Sequence, residues 1–77
     1  MSDYRLDISG NLNLTDFSSI YDYISVVDYN DKFTISLNSV GDESVGLICE
    51  MLYKQNFIVK HLGLKEDGLY YITASKI

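Results

Sequence analysis

Residues 32–38, with the sequence Lys-Phe-Thr-Ile-Ser-Leu-Asn, carry the pattern that decides the fold. Apolar side chains at Phe33, Ile35 and Leu37 alternate with polar ones, which is the two-residue period of a strand with one buried face. The polar residues 28–31 separate this segment from the pattern that precedes it. We therefore predict a β-strand whose apolar side is covered by another layer of structure.

Helical periodicity flanks this strand on both sides. Between residues 14 and 27, apolar side chains recur every three or four positions, opposite a face rich in serine and aspartate. Asn13 is a favourable N-cap for this helix, and Asp16 places negative charge in its first turn. A second helix is predicted from residue 42 to about residue 55, and Asn56 can stop it in the left-handed conformation.

Three further segments are predicted to be strands and complete the order β-α-β-α-β-β. Residues 4–9 alternate in the same way, and residues 57–62 and 69–75 flank a loop, 63–68, whose Asp-Gly step is typical of a hairpin connection. A right-handed crossover in each strand–helix–strand unit puts both helices on the same side of the sheet. The predicted fold is α+β, a two-layer α/β sandwich in which a four-stranded mixed sheet carries two helices on one face.

The alternation also assigns side chains to the two faces of the sheet. The open face is expected to be polar and to carry Arg5, Asp7, Thr34, Ser36, Tyr71 and Thr73. The helix-facing side is expected to carry Leu6, Ile8, Phe33, Ile35, Leu37, Phe57, Val59, Tyr70 and Ile72. Because the chain has no proline, no low-complexity stretch and no repeat, residues 1–77 are predicted to form one domain.

Composition narrows the classes of protein to which the chain can belong. Its 77 residues are 47% hydrophobic, as in a globular domain near the lower size limit for an unassisted core. The net charge of −5 opposes binding to a nucleic-acid backbone, which needs clustered lysine and arginine. No apolar run reaches the roughly 20 residues of a membrane span, and Met1 is not followed by a signal-type core. We expect a cytoplasmic protein that contacts neither membrane nor nucleic acid directly.

Residues with catalytic or metal-binding chemistry are few and scattered. Cys49 and His61 are the one cysteine and the one histidine, which are too few for a disulfide or a metal site. Cys49 follows the apolar register of the second helix and is expected to be a core residue, and His61 lies in a strand with no evident nucleophile. Glu66 and Asp67 are expected to be solvated at a hairpin tip. No catalytic residue, cofactor or metal is predicted, and we expect the protein not to be an enzyme.

Two short motifs carry a family resemblance. Residues 6–10, Leu-Asp-Ile-Ser-Gly, end the first strand, and residues 67–72, Asp-Gly-Leu-Tyr-Tyr-Ile, belong to the closing hairpin, which has Lys76 at its end. With this order of elements, the chain resembles the TusA/SirA-like sulfur-carrier family over nearly its whole length. The resemblance implies the scaffold of that family.

The sulfur-carrying cysteine of the family is missing. Its signature, Leu-Asp-x-x-Gly-x-x-Cys-Pro-x-Pro, places the cysteine at Asn13 and the two prolines at Leu14 and Asp16. In the family this cysteine lies at the start of the first helix, where the helix dipole and free backbone amides stabilise a thiolate. Asn13 offers no nucleophile but can cap the helix. The resemblance therefore implies a carrier scaffold without its carrier residue.

The second helix has a wider apolar arc than one buried face requires. Leu47 and Met51, four residues apart, extend this arc to one side. Either they pack against the first helix, or at least one is exposed and contacts a partner or a second copy of the chain. Gly46 costs the helix about 1 kcal/mol relative to alanine, for which close approach of another backbone would compensate. Tyrosines such as Tyr21 and Tyr53 are either a recognition surface or ordinary rim residues.

These observations favour a non-enzymatic binding or regulatory module on a TusA-like scaffold. It is expected to act through protein contacts, with an unknown partner or by self-association, and Leu47 and Met51 are its candidate contact residues. One alternative is an accessory protein of sulfur transfer that docks onto the partners of the family. Another is a small acidic inhibitor, encoded by a phage or mobile element, that occupies a nucleic-acid-binding surface of a host protein.

Overall fold

Six elements follow one another in the predicted order β-α-β-α-β-β. The computed structural model describes residues 2–10, 12–38, 41–64 and 69–76. The elements are β1 (Asp3–Ser9), α1 (Leu14–Val26), β2 (Lys32–Asn38), α2 (Asp42–Lys54), β3 (Phe57–Leu64) and β4 (Tyr70–Lys76). Their ends lie within one residue of the predicted ones, except that β3 continues two residues further. The predicted hairpin tip with Glu66 and Asp67 lies outside the described residues.

The four strands form one mixed sheet in the order β1-β2-β4-β3. β1 runs parallel to β2, whereas β4 lies between β2 and β3 and is antiparallel to both. The chain therefore advances in the same direction across the sheet in both crossovers, from β1 to β2 and from β2 past β4 to β3. Right-handed connections then place α1 and α2 on the same face, and the predicted α+β sandwich is confirmed.

The hydrophobic core lies between this face of the sheet and the two helices. Every residue that the alternation assigned to the helix-facing side is buried or half-buried there. Aromatic rings close the end of the core where β1 and β2 begin. Tyr23 of α1 stacks on Phe33 with 5.3 Å between ring centres, and the ring of Tyr4 meets Tyr23 edge-on at 6.2 Å. Both are preferred geometries for aromatic pairs, so α1 is held firmly on the sheet at this end.

Side chains and backbone geometry fix the ends of the two helices. The Asn13 side-chain oxygen accepts a hydrogen bond from the Asp16 amide at 3.0 Å, and the Asp16 carboxylate accepts one from the Asn13 amide at 3.1 Å. This reciprocal capping box confirms Asn13 as the N-cap of α1. Asn56, with φ of 65°, follows α2 in the predicted left-handed conformation. Each helix has 13 residues, and no helix in the described ranges is long and apolar enough to cross a membrane.

A β-bulge interrupts the regular alternation of β3. Val59 pairs with Ala74 and His61 pairs with Thr73, so Lys60 is the extra residue. Without this bulge His61 would point to the same side as Val59, into the helical layer. The bulge instead turns His61 to the open face of the sheet.

Candidate functional site

The open face of the sheet gathers polar side chains from all four strands. Its middle row crosses the sheet at matching register positions and consists of Arg5, Thr34, Thr73 and His61. These residues, with Asp3, Tyr4, Lys32 and Tyr71, line a hollow of about 510 Å³. The register confirms the six residues predicted for this face. One of them, Ser36, is only 4% exposed and is therefore not one of the solvated side chains that we expected there.

Arg5 and Asp7 belong to an ordered network on the β1 side of this face. Arg5 Nε donates to Asp7 Oδ1 at 3.1 Å, and Arg5 Nη2 donates to the Tyr71 hydroxyl oxygen at 3.4 Å. The guanidinium carbon also lies 5.5 Å from the centre of the Tyr71 ring, within cation–π range. The Ser36 hydroxyl donates to the same Asp7 oxygen. These hydrogen bonds, first from Ser36 and then from Arg5, hold the pKa of Asp7 below its ordinary value.

Replacing Ser36 by alanine should raise the pKa of Asp7 toward the value of about 3.9 in unfolded chains, because the strongest stabilising contact of the carboxylate is lost. A carboxyl group whose pKa is depressed by folding stabilises the fold above its unfolded pKa, and this contribution disappears as the pH falls through its folded pKa. The stabilisation that ionised Asp7 gives the wild-type fold should thus be lost below about pH 4. The Ser36→Ala variant should lose less stability over the same pH range. Carbon-13 NMR titration measures the pKa of Asp7 in the wild-type protein and in the Ser36→Ala variant. Equal pKa values in the two proteins would contradict this account.

His61 and Thr73 are neighbours in the middle row of the open face. His61 is exposed, and none of the hydrogen bonds found among the described residues joins it to Thr73 or to a carboxylate. Within the same ranges, no group of three histidine, cysteine or acidic side chains is placed to hold a metal ion.

A second concave surface, the interhelix groove, lies between α1 and α2 on the other side of the molecule. It has a volume of about 210 Å³ and is lined by Phe17, Tyr21, Leu47, Glu50, Met51 and Lys54. α1 packs against β1 and α2 packs against β3, which are the two edge strands of the sheet. The helices thus lie toward opposite edges of the sheet, and the groove runs between them on the surface, above a core in which the helix-facing side chains of the central strands stay buried.

Leu47 and Met51 take different positions in the interhelix groove. Leu47 is 50% exposed, which corresponds to the second of the two alternatives, whereas Met51 is half-buried and packs against the core. Contact of either residue with a partner stays a prediction. Glu50 and Lys54 form an ion pair on the groove wall, with 3.2 Å between Oε1 and Nζ. The groove thus combines an apolar floor with an exposed leucine and a charged wall.

Gly46 lies on the exposed surface of α2. A Cβ atom added there would meet nothing within 4 Å. No other backbone of the chain approaches it closely, so the compensation that we expected for this glycine is absent within the described part of the chain.

Half of the interhelix groove could be predicted from the sequence. Leu47 and Met51 of α2 were expected at a contact surface, but Phe17 and Tyr21 of α1 were not expected to line the same surface. The available signal was the matching spacing of four residues in both pairs, on two helices that were already predicted to lie on one face of the sheet. What the sequence could not supply was the distance between the helices.

Cys49 lies at the margin of the core rather than inside it. The expectation of a core residue was too strong, since the side chain is half-buried and packs against the core cluster from its edge. Val45, Ile48 and Leu52 fill the part of α2 that faces the sheet. Burial still raises the pKa of the Cys49 thiol, which disfavours the reactive thiolate.

Native Cys49 should therefore react slowly with Ellman's reagent at neutral pH. The raised pKa lowers the thiolate fraction, and packing against the core hinders approach of the reagent. The measurement compares the labelling rate of the native protein with that of the same protein in denaturant. Equal rates in the two conditions would show that the thiol is neither shielded nor held neutral.

Comparison of the chain with protein-family models, curated proteins and solved structures finds no match. The resemblance to the TusA/SirA-like family therefore rests on the motifs at residues 6–10 and 67–72 and on the order of the elements. Of the two surfaces described above, the interhelix groove is the one that combines concavity with exposed apolar side chains.

Proposed function

We propose that this protein is a non-enzymatic binding module that acts through protein contacts, and that the interhelix groove is its contact surface. The observation that carries the proposal is the half-exposed Leu47 beside the exposed Tyr21 and the adaptable Met51. Leucine and tyrosine side chains that protrude around a concave apolar floor gain the most free energy when a partner removes them from water. Tyrosine is among the residue types that dominate the energy of protein interfaces, whereas leucine contributes through the apolar area that it buries.

The scaffold in this proposal is a TusA-like domain in the cytoplasm that has lost sulfur transfer. Asn13 occupies the position of the family cysteine, and its side-chain oxygen is already engaged by the Asp16 amide. An amide in that position cannot accept sulfur, so the position serves helix capping instead. What such a scaffold retains is its surface, which supports binding and not catalysis.

A second candidate function is the small acidic inhibitor that covers a nucleic-acid-binding surface of a host protein. The net charge of −5 and the carboxylates of the helical layer favour it. Such an inhibitor would depend on the number of carboxylates more than on the apolar groove. Competition with a single-stranded DNA oligonucleotide for the same partner separates this candidate from the first.

A pull-down with matched variants tests the groove. Leu47→Lys places a charge in the groove, whereas Tyr53→Lys places the same charge at a side chain of α2 that is 58% exposed and does not line the groove. We expect Leu47→Lys to weaken capture of a specific partner by about tenfold or more and Tyr53→Lys to leave it nearly unchanged. The captured protein is then purified, and its dissociation constant is measured with the wild-type protein and with each of the two variants. Equal constants would overturn the assignment of the groove.

A further inference from the structure

Charge is distributed unevenly between the two layers of the molecule. Among the side chains that the structure describes, the helices carry Asp16, Asp22, Glu43 and Glu50 against Lys54. In the same ranges the strands carry Arg5, Lys32, Lys60 and Lys76 against Asp3 and Asp7. The described side chains of the helices thus carry a net charge of −3 and those of the strands +2, so the helical side, where the interhelix groove opens, is the more negative of the two layers.

Two carboxylates of α2 lie on the groove side of that helix. Glu43 precedes Leu47 by one helical turn on the same side of α2. Glu50 forms part of the groove wall, and its ion pair locally balances Lys54, the basic side chain of the described helices. The groove wall itself is thus balanced, and the negative charge beside the apolar floor comes from Glu43 and from the net charge of the helical layer.

The backbone of the groove walls restricts the kind of segment that can bind. Both walls are helices, whose backbone amides and carbonyls are already paired along the helix, so they offer no main-chain hydrogen bonds to an extended peptide. A partner helix satisfies its own backbone and presents apolar side chains once per turn, about 5.4 Å apart. Leu47 and Met51 are spaced by one turn in the same way and can take side chains of such a helix between them.

We infer that the groove binds a basic amphipathic α-helix of another protein, an inference that rests on the proposed function. The lysine or arginine side chains of that helix face the carboxylates of α2, and its apolar face covers Leu47 and Tyr21. A second copy that presents its own helical layer is disfavoured because that layer carries the same negative charge, and like charges across an interface are repulsive. Nucleic acid is repelled for the same reason.

Three synthetic peptides of about 18 residues, or five helical turns, test this inference. The first has leucine on one helical face and lysine on the other, the second has glutamate in place of lysine, and the third has the composition of the first with leucine and lysine alternating. Each is titrated into the intact nitrogen-15-labelled protein. We expect the first peptide to bind at least about tenfold more tightly than the others, with amide shifts at Phe17, Tyr21, Leu47 and Met51 and with affinity that falls as salt rises.

Matched substitutions locate the charge effect. Glu50→Gln removes a carboxylate from the groove wall, whereas Asp3→Asn makes the same change in net charge on the open face of the sheet. We expect Glu50→Gln to weaken binding of the lysine peptide several-fold and Asp3→Asn to leave it unchanged. An equal loss in both variants would mean attraction to net charge alone and would overturn the inference.

The outcomes separate this inference from the proposed function. If no peptide binds, or if the glutamate or alternating peptide binds as well as the first, the basic amphipathic helix is the wrong partner. The groove can still be the contact surface in that case, provided that capture of a protein depends on Leu47. If shifts appear at Arg5 and Thr73 instead, the open face of the sheet is the binding surface and both the inference and the proposed function fail.

Discussion

Replacing Phe33 by alanine is expected to lower the free energy of unfolding by about 3–5 kcal/mol. Phe33 is 0% exposed, and its ring stacks on Tyr23 at 5.3 Å, so the substitution leaves a cavity and removes the aromatic contact that ties α1 to β2. At roughly 0.05–0.15 kcal/mol per residue, a domain of this size has about 4–12 kcal/mol in total. At the lower end of this range the variant is partly or fully unfolded, and at the upper end it stays folded with a much lower urea midpoint, which circular dichroism and urea unfolding measure.

Tyr29→Ala is the matched control for this substitution. Tyr29 is 62% exposed and contacts Lys76 by a cation–π interaction, with Nζ 5.3 Å from the ring centre. Exposed pairs of this kind contribute about 0.5–1 kcal/mol, so the control should remain folded. If Phe33→Ala were as stable as Tyr29→Ala, the core would not lie where the structure places it.

The course of β3 shows a signal that the sequence contained and our reading did not use. Phe57 and Val59 are apolar at odd positions, whereas Leu62 and Leu64 are apolar at even positions. A regular strand cannot place all four on one face, because side chains alternate strictly. We predicted a regular strand that ends at residue 62, but the bulge at Lys60 resets the alternation and lets β3 continue to Leu64. The same bulge brings His61 to the open face.

The order of the strands could be predicted only in part. Handedness of the crossovers placed both helices on one face, and the structure agrees. The hairpin from β3 to β4 could return on either side of β3, and local periodicity is the same in both cases. The observed position of β4 between β2 and β3 buries Ile72 and Ala74 in the core on the helical side of the sheet, and that burial is a property of the whole fold.

Only those features of the candidate site that are set by a single helix could be predicted from the sequence. The wide apolar arc of α2 indicated Leu47 and Met51, and the structure exposes Leu47. Whether a side chain at the border of an arc is covered depends on how far apart the helices stand, and that distance follows from the strands on which each helix packs. This is why Met51 was left undecided between core and surface.

Met51→Lys is expected to cost about 2 kcal/mol of stability or more, whereas Leu47→Lys should change it by no more than about 0.5 kcal/mol. Met51 packs against the core from the groove floor, so a lysine there loses this packing and brings a charge next to apolar side chains. Leu47 is half-exposed, and a lysine at that position can extend into water. Urea unfolding of both variants measures the difference.

The comparison is matched because both variants add the same charge to the same groove, one helical turn apart. Leu47→Lys thus becomes a variant that alters the contact surface of a stable domain, and its binding data report on contact alone. Met51→Lys reports on both contact and folding, so its binding is compared only at temperatures where it is folded. If Met51→Lys proved as stable as Leu47→Lys, Met51 would be a surface residue and the floor of the groove would be open to a deeper side chain of the partner.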